Sequence, residues 1–111
     1  MIWRGEIYDV HLGLPIGHES AFTRPAIVVS ADLLNNGPGG LVTVVPLGSM
    51  GSGLRSHVEV GVRNSGLDRV SYARCDQLRT ISTERLRRRR GAAAGDEISL
   101  VDQAIRFVLD L

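Results

Sequence analysis

The segment "SYARCDQLRT" (71–80) places an arginine and an aspartate on either side of the only cysteine in the chain. Because side chains alternate along an extended strand, Arg74 and Asp76 would share one face, roughly 6.5 to 7 Å apart, with Cys75 on the other. We predict that Cys75 is a small core residue, since neither a CxxC motif nor a Cys-His-Asn set accompanies it. Arg74 and Asp76 are then exposed, either as a plain ion pair or as a reactive pair.

A guanidinium beside a carboxylate suits the metal-free cleavage of RNA. A ribose 2′-hydroxyl attacks its own 3′-phosphate when a base removes its proton, a cation stabilises the added negative charge and an acid protonates the departing 5′-oxygen. Asp76 is the candidate base, and Arg74 is the candidate phosphate ligand with a further role at the leaving group. His18 is either an ordinary surface residue or a proton donor or acceptor, because imidazole titrates near neutral pH.

The sequence gives little support for a metal ion or a nucleotide cofactor. His11, His18, His57 and Cys75 lack the spacing of zinc ligands, so we expect no metal. The glycine-rich stretch 48–53 lacks the GK[ST] ending of a phosphate-binding P-loop. We therefore expect a protein that works without a cofactor.

The composition is that of one folded domain covering residues 1–111, with 43% apolar and 23% charged residues. All 13 basic residues are arginine, and six of them lie within residues 79–90. Residues 96–111 instead carry four acids against Arg106. Guanidinium groups bind phosphate and carboxylate through two hydrogen bonds, so this pattern indicates either an anionic partner or a solvated arginine-rich loop.

The sequence offers no sign of export or of a membrane span. The longest apolar runs are far shorter than the ~20 residues that a spanning helix needs. The opening "MIWRGEIYDV" carries charge where a signal peptide has its apolar centre. We expect a cytoplasmic protein, and a single cysteine allows no internal disulfide.

Apolar runs broken by Gly, Pro, Asn and Ser predict a series of short strands followed by one helix. The predicted strands are 5–12, 25–30, 41–47, 57–62 and 69–75. Within 57–62, valines alternate with polar residues, which predicts a half-buried strand. The change to steps of three and four over 96–109 predicts an amphipathic helix, and 87–95 is predicted to be an exposed connection.

Two predicted connections are longer than strand geometry requires. Residues 13–24 join the first two strands, and residues 48–56 follow the third, whereas hairpins need only ~2 to 5 residues. Loops carry most binding surfaces in small domains. We predict that the binding surface lies in these two segments.

Several fragments in order resemble the MazF/PemK/Kid toxins of bacterial toxin–antitoxin systems. They are "RGEIY" (4–8), "GHE" (17–19), "TRPAIVVS" (23–30), "VTVVPL" (42–47) and "RCDQLRTI" (74–81), followed by the predicted helix. The resemblance spans nearly the whole chain. It implies a mainly β fold, a compact SH3-like or PemK-like β-barrel, with a C-terminal α-helix.

The resemblance also implies a homodimeric, sequence-specific endoribonuclease that cuts single-stranded RNA without metal. The products would carry a 2′,3′-cyclic phosphate and a 5′-hydroxyl, and messenger RNA is the expected target, with ribosomal and transfer RNA as alternatives. A cognate antitoxin would cover the RNA-binding surface with an acidic segment. By matching motifs, Asp76 corresponds to the base, Arg74 to the acid, His18 to a supporting residue and Arg24 to a ligand of the scissile phosphate.

The predicted RNA-binding residues surround these four, and Phe22 is a further residue that would either stack on a base or pack in the core or dimer interface. They are Glu19, Ser49, Arg55, Tyr72, Gln77 and Arg79. One departure concerns the third strand, where many relatives carry a threonine and this chain has Gly48. Two alternatives therefore stay open: a catalytically weakened RNA-binding relative, and a CcdB-like toxin that contacts gyrase, although no tryptophan lies near Leu111.

Overall fold

Seven short strands and a C-terminal helix make up the chain, and the computed structural model describes all 111 residues. The strands are β1 (Glu6–His11), β2 (Thr23–Val28), β3 (Leu41–Gly48), β4 (His57–Val60), β5 (Ser71–Arg74), β6 (Arg79–Ser82) and β7 (Leu86–Ala92). The helices are the single turn α1 (Asp32–Asn35) and the long α2 (Gly95–Leu109), and 3₁₀ turns cover Cys75–Gln77 and Thr83–Arg85.

All strand pairs are antiparallel, in the order β4-β5-β3-β2-β1-β7, with β6 on the remaining length of β3. The long strand β3 therefore has three partners. The mainly β fold with a terminal helix is confirmed. The sheet is not a closed barrel, because the end strands β4 and β7 are not paired with each other.

The central strands bury both of their faces, which explains why their sequences are continuously apolar. On one face, Ile27 and Val45 belong to a cluster that also holds Cys75 and Val101 of α2. On the other face, a second cluster includes Val10, Ala26, Val28, Val42 and Val44. Adjacent residues of a strand thus serve two different cores.

Helix α2 matches the predicted amphipathic helix to within a residue. Val101 and Ala104 are buried, and Ile98, Ile105 and Val108 pack against the first core. Glu97 fixes the start of the helix, because its carboxylate accepts hydrogen bonds from the N–H groups of Ala94 and Gly61, both at 2.8 Å. No helix has the length and apolar character that crossing a bilayer requires.

Two strands end earlier than predicted. The predicted strand 69–75 ends at Arg74, where the chain enters a 3₁₀ turn. The predicted strand 57–62 ends at Val60, which leaves Val62 exposed. The chain turns there because the N–H of Gly61 donates to Glu97 instead of to a neighbouring strand.

The prediction of an exposed connection at 87–95 is wrong. Residues 86–92 form strand β7, which pairs with β1 along most of its length. The four successive arginines of this strand form no apolar pattern, but Glu6 and Asp9 of β1 pair with three of them. Arg89 donates to Glu6, and Arg90 donates to Asp9 at 3.1 Å.

Glu6 is the most buried member of this cross-strand group, with 7% of its surface exposed. Its carboxylate also accepts the N–H of Trp3 at 2.6 Å and the hydroxyl of Tyr8 at 3.3 Å. Burial by itself raises the pKa of Glu6, but the hydrogen bonds from Arg89 and Trp3 outweigh it, so the pKa lies below its ordinary value of 4.5. The charged form therefore stabilises the fold.

Replacing Glu6 with Gln should lower the free energy of unfolding by about 1 to 3 kcal/mol at neutral pH, because the hydrogen bonds lose their charge. A lowered pKa contributes stability above the unfolded value of 4.5 and loses it as the pH falls through the folded value. The difference in unfolding free energy between the wild-type protein and the Glu6→Gln variant should therefore shrink in acid. Urea unfolding at pH 7 and pH 3.5 tests this, with Glu84→Gln as the exposed control. A difference that grows in acid would contradict the assignment.

Candidate active site

Asp76 lies at the middle of the 3₁₀ turn Cys75–Gln77, immediately after strand β5. Cys75 points inward and is completely buried, as predicted, while 43% of the Asp76 side chain is exposed. Burial raises the pKa of the Cys75 thiol to about 12, with the nearby charges of Asp76 and Asp102 adding to the effect. The thiol is therefore held protonated, and the carboxylate is the chemically available group.

The two-residue spacing argument for Arg74 and Asp76 is wrong in its geometry, because a 3₁₀ turn does not continue the alternation of a strand. Strand register, not spacing, sets the surroundings of Arg74. His57 is its direct partner on β4, and Tyr72, two residues earlier on the same face, lies opposite Gly48 of β3. Directly opposite residues share a face, so these four positions form one surface.

The guanidinium of Arg74 lies over Gly48. A Cβ built on Gly48 would meet Arg74 Nη2 at 2.5 Å and Nε at 2.6 Å, closer than atoms can approach. The Nε of Arg74 is buried and has no hydrogen-bond partner in the protein. The missing side chain at position 48 thus provides the space for a guanidinium that still has an unpaired donor.

Gln77 holds the long loop between β1 and β2 beside Asp76. Its side-chain oxygen accepts the N–H of Ser20 at 2.6 Å, and its side-chain amide donates to the carbonyl of His18 at 3.3 Å. Glu19 and Arg79 line a cavity of about 290 Å³ together with Asp76 and Gln77. His18 itself is exposed.

Arg24 and Ser49 line a second cavity, with Gly48 as part of its wall. The register that pairs Ala26 with Pro46 places Arg24 beside Gly48 two residues farther along. The Nε of Arg24 donates to the carbonyl of Ala21 at 3.0 Å, which leaves its terminal nitrogens available. Arg74 also lies over Gly48. Strand β3 therefore brings Arg24 and Arg74, the two predicted phosphate ligands, to the same part of the sheet.

The remaining candidates are divided between this surface and its surroundings. Tyr72 is half-buried, and its ring lies against Gly51 of the loop after β3. Phe22 is 57% exposed, which excludes core packing within the chain. Arg55 lies apart from the Asp76 cavity, with its guanidinium 4.1 Å from the centre of the Phe107 ring on α2.

One residue of the site was missed from the sequence. The sequence gives no sign of a role for His57 beyond the absence of zinc-ligand spacing, yet its Nε2 lies 3.2 Å from Oδ1 of Asp76. Its Nδ1 lies 2.6 Å from the hydroxyl oxygen of Ser52. Pairing the alternating segment 57–60 with 71–74 would have placed His57 beside Arg74. No group of three or more His, Cys, Asp or Glu side chains is arranged to hold a metal ion.

Comparison with known proteins gives a consistent result. Residues 3–109 match the family model of the PemK-like, MazF-like toxin of type II toxin–antitoxin systems. The endoribonuclease MazF9 of Mycobacterium tuberculosis is 36% identical over 116 aligned positions, covering all of this chain and 98% of the relative.

Solved structures have the same fold. The M. tuberculosis toxin MazF-mt6 superposes with a TM-score of 0.81 at 25% identity, covering 96% of this chain and 97% of that one. An endoribonuclease from a mycobacterial species, solved with its cognate antitoxin, gives a TM-score of 0.83 at 21% identity, over 100% of this chain and 97% of that one.

Replacing Gly48 with Thr should move Arg74 and leave the fold intact. The atoms in conflict with a new Cβ belong to the end of a flexible side chain, and Gly48 does not have the left-handed backbone that would strain a threonine. We expect unfolding free energy to change by less than about 1 kcal/mol. A changed Arg74 Nε–H signal in ¹H–¹⁵N spectra would report the displacement. An unchanged Arg74 signal with shifted amides in β3 would instead show that the strand moves.

Proposed function

Because the chain belongs to the PemK-like, MazF-like toxin family of type II toxin–antitoxin systems, we propose that it is a sequence-specific endoribonuclease that cleaves single-stranded RNA. The observation that carries the proposal is the exposed carboxylate of Asp76, which contacts His57, the cross-strand partner of the candidate phosphate ligand Arg74. The name of the M. tuberculosis relative MazF9 supports the same activity. Residues 1–111 would form a single catalytic domain.

In the proposed reaction Asp76 takes the proton of a ribose 2′-hydroxyl as that oxygen attacks the adjacent phosphorus. The new bond joins the 2′-oxygen to phosphorus, and the bond from phosphorus to the 5′-oxygen breaks. The products are a 2′,3′-cyclic phosphate and a 5′-hydroxyl. No metal ion takes part in this scheme, because the protein supplies the base and the positive charge.

Arg74 and Arg24 bind the phosphate oxygens in this proposal. Both guanidinium groups keep free donors, and the Gly48 backbone lies between their strands. A guanidinium holds its proton too firmly to act readily as an acid, whereas imidazole exchanges protons near neutral pH. We therefore propose that His18 protonates the 5′-oxygen. The resemblance assigns this acid role to Arg74, which in our scheme binds the phosphate instead.

The neighbouring polar groups supply contacts along the RNA strand. Glu19, Gln77 and Arg79 line the Asp76 cavity, and Ser49 lines the cavity of Arg24. Tyr72 presents a half-buried ring opposite Gly48 and against Gly51. Unpaired bases are recognised by stacking and by hydrogen bonds to their edges, which is how these residues would set the cleaved sequence. Arg55 lies over Phe107 and lines a different cavity, which His57 also lines, so it stays a candidate there.

Replacing Asp76 with Asn should lower RNA cleavage by at least ~100-fold, because an amide does not accept the 2′-hydroxyl proton. The assay uses a long unstructured RNA in excess EDTA, with mapping of the fragment ends to identify the cyclic phosphate and the sequence cut. Asp110→Asn is a matched control, since Asp110 is an exposed acid at the end of α2. Full activity of the Asp76 variant would contradict its assignment as base. Growth arrest with intact RNA would favour a protein target such as gyrase.

We also propose that the toxin is a cytoplasmic homodimer held inactive by an antitoxin. The structure of a mycobacterial relative with its cognate antitoxin supports a partner of this kind. An acidic, flexible antitoxin segment would compete with RNA for the same arginines.

Light scattering should therefore give twice the chain mass of 12.0 kDa. Addition of the cognate antitoxin should block cleavage, and high salt should weaken the block where the contacts are exposed ion pairs. A molar mass in solution that stays at 12.0 kDa over micromolar concentrations would contradict the dimer. Cleavage that continues in the antitoxin complex would contradict competition for the RNA surface.

A further inference from the structure

We propose that His57 is a positioning residue for Asp76 and that Ser52 fixes the protonation of His57 for this role. The inference rests on the proposed ribonuclease function, in which Asp76 is the base. The structure aligns the three side chains in a series, from the hydroxyl of Ser52 to the imidazole of His57 and on to the carboxylate of Asp76.

The contact with His57 is the only hydrogen bond or ion pair that the Asp76 carboxylate makes within the protein. Asp76 belongs to a one-turn 3₁₀ segment and is 43% exposed, so without this contact its carboxylate would be free to rotate. His57 is well fixed by comparison, with 11% of its side chain exposed and its backbone N–H donating to Leu54 at 3.0 Å. The well-buried imidazole of His57 thus fixes the orientation of the more exposed Asp76 carboxylate.

The direction of the hydrogen bonds follows from the chemistry of the groups. An ionised carboxylate only accepts, so Nε2 of His57 must carry a proton and donate it to Oδ1 of Asp76. In the neutral ring, Nδ1 is then an acceptor, and the Ser52 hydroxyl donates to it over 2.6 Å. The Ser52 oxygen accepts in turn from the N–H of Leu54 at 3.2 Å. We assign the Nε2–H tautomer of His57 on this basis.

This arrangement occupies one carboxylate oxygen and leaves the other for the substrate. With Oδ1 held by His57, Oδ2 is the atom that receives the 2′-hydroxyl proton. His57 is also the cross-strand neighbour of Arg74, so the group that orients the base lies beside the group that binds the phosphate. His57 does not itself contact the reacting atoms, because Asp76 lies between them.

The loop that follows β3 acquires a function from this contact. Ser52 lies in the glycine-rich connection between β3 and β4, and no nucleotide-binding motif explains its presence. Its hydroxyl joins this loop to the site, as Gln77 joins the loop between β1 and β2. Both long connections are therefore held near Asp76 by side-chain hydrogen bonds.

Two substitutions of His57 test the proposal. His57→Leu removes the donor, and kcat for RNA cleavage should fall roughly 10- to 100-fold with little change in KM, because misplacement of a catalytic group affects the transition state most. His57→Gln keeps an N–H near the position of Nε2 and should recover much of kcat. His11→Gln, an exposed histidine outside the site, is the control. Full kcat in His57→Leu, or an equal loss in both His57 variants, would overturn the positioning role.

Long-range ¹H–¹⁵N spectra test the contact without any cleavage assay. Neutral His57 should show a protonated Nε2 and an unprotonated Nδ1, and its signals should shift in Asp76→Asn and in Ser52→Ala. A neutral ring protonated on Nδ1 would overturn the assignment. Because this measurement needs no RNA, it separates a failure of the His57 inference from a failure of the ribonuclease proposal.

Discussion

The burial of Cys75 beneath helix α2 is the constraint on which the site depends. Cys75 is completely buried among the residues of the first core, and its N–H donates to the carbonyl of Ser56 at 2.9 Å. With this residue fixed inward at the end of β5, the following turn must direct Asp76 outward. A small side chain is needed because the chain passes close to Val101, whose carbonyl oxygen lies 4.0 Å from the thiol sulfur. A core contact thereby presents a carboxylate to solvent.

Pairing along strand β3 positions the other residues of the site. The first half of β3 pairs with β6, residues 44–46 pair with β2, and its last two residues pair with β5. The strands β2, β3 and β5 therefore come together near Gly48. Absence of a side chain there gives Arg74 room to lie across the strand. Backbone pairing therefore places the arginines. Two side-chain contacts, from Gln77 and Ser52, hold the two long loops near Asp76.

Arginine serves two different purposes in this chain. On β7, Arg89 and Arg90 pair with acids of β1 and hold the edge of the sheet, which accounts for part of the basic cluster without any partner molecule. Around Gly48, by contrast, Arg74 and Arg24 keep nitrogen donors that have no partner within the protein. The planar guanidinium suits both tasks because it forms several hydrogen bonds at once. The net charge of +1 does not reveal that some arginines are paired with acids and others are not.

Local periodicity was enough to predict helix α2, the inward direction of Cys75 and most of the strands, because these features depend on which residues avoid water. The motifs around His18 and Asp76 identified the family, since they lie in fixed order along the chain. Strand β7 escaped prediction because its arginines are neutralised by acids about 80 positions away, and no local pattern records that pairing. His57 escaped for the same reason: its place beside Asp76 comes from strand register and from a turn, both of which are set by long-range packing. The residue types fixed the available chemistry, whereas tertiary structure alone decided which groups meet.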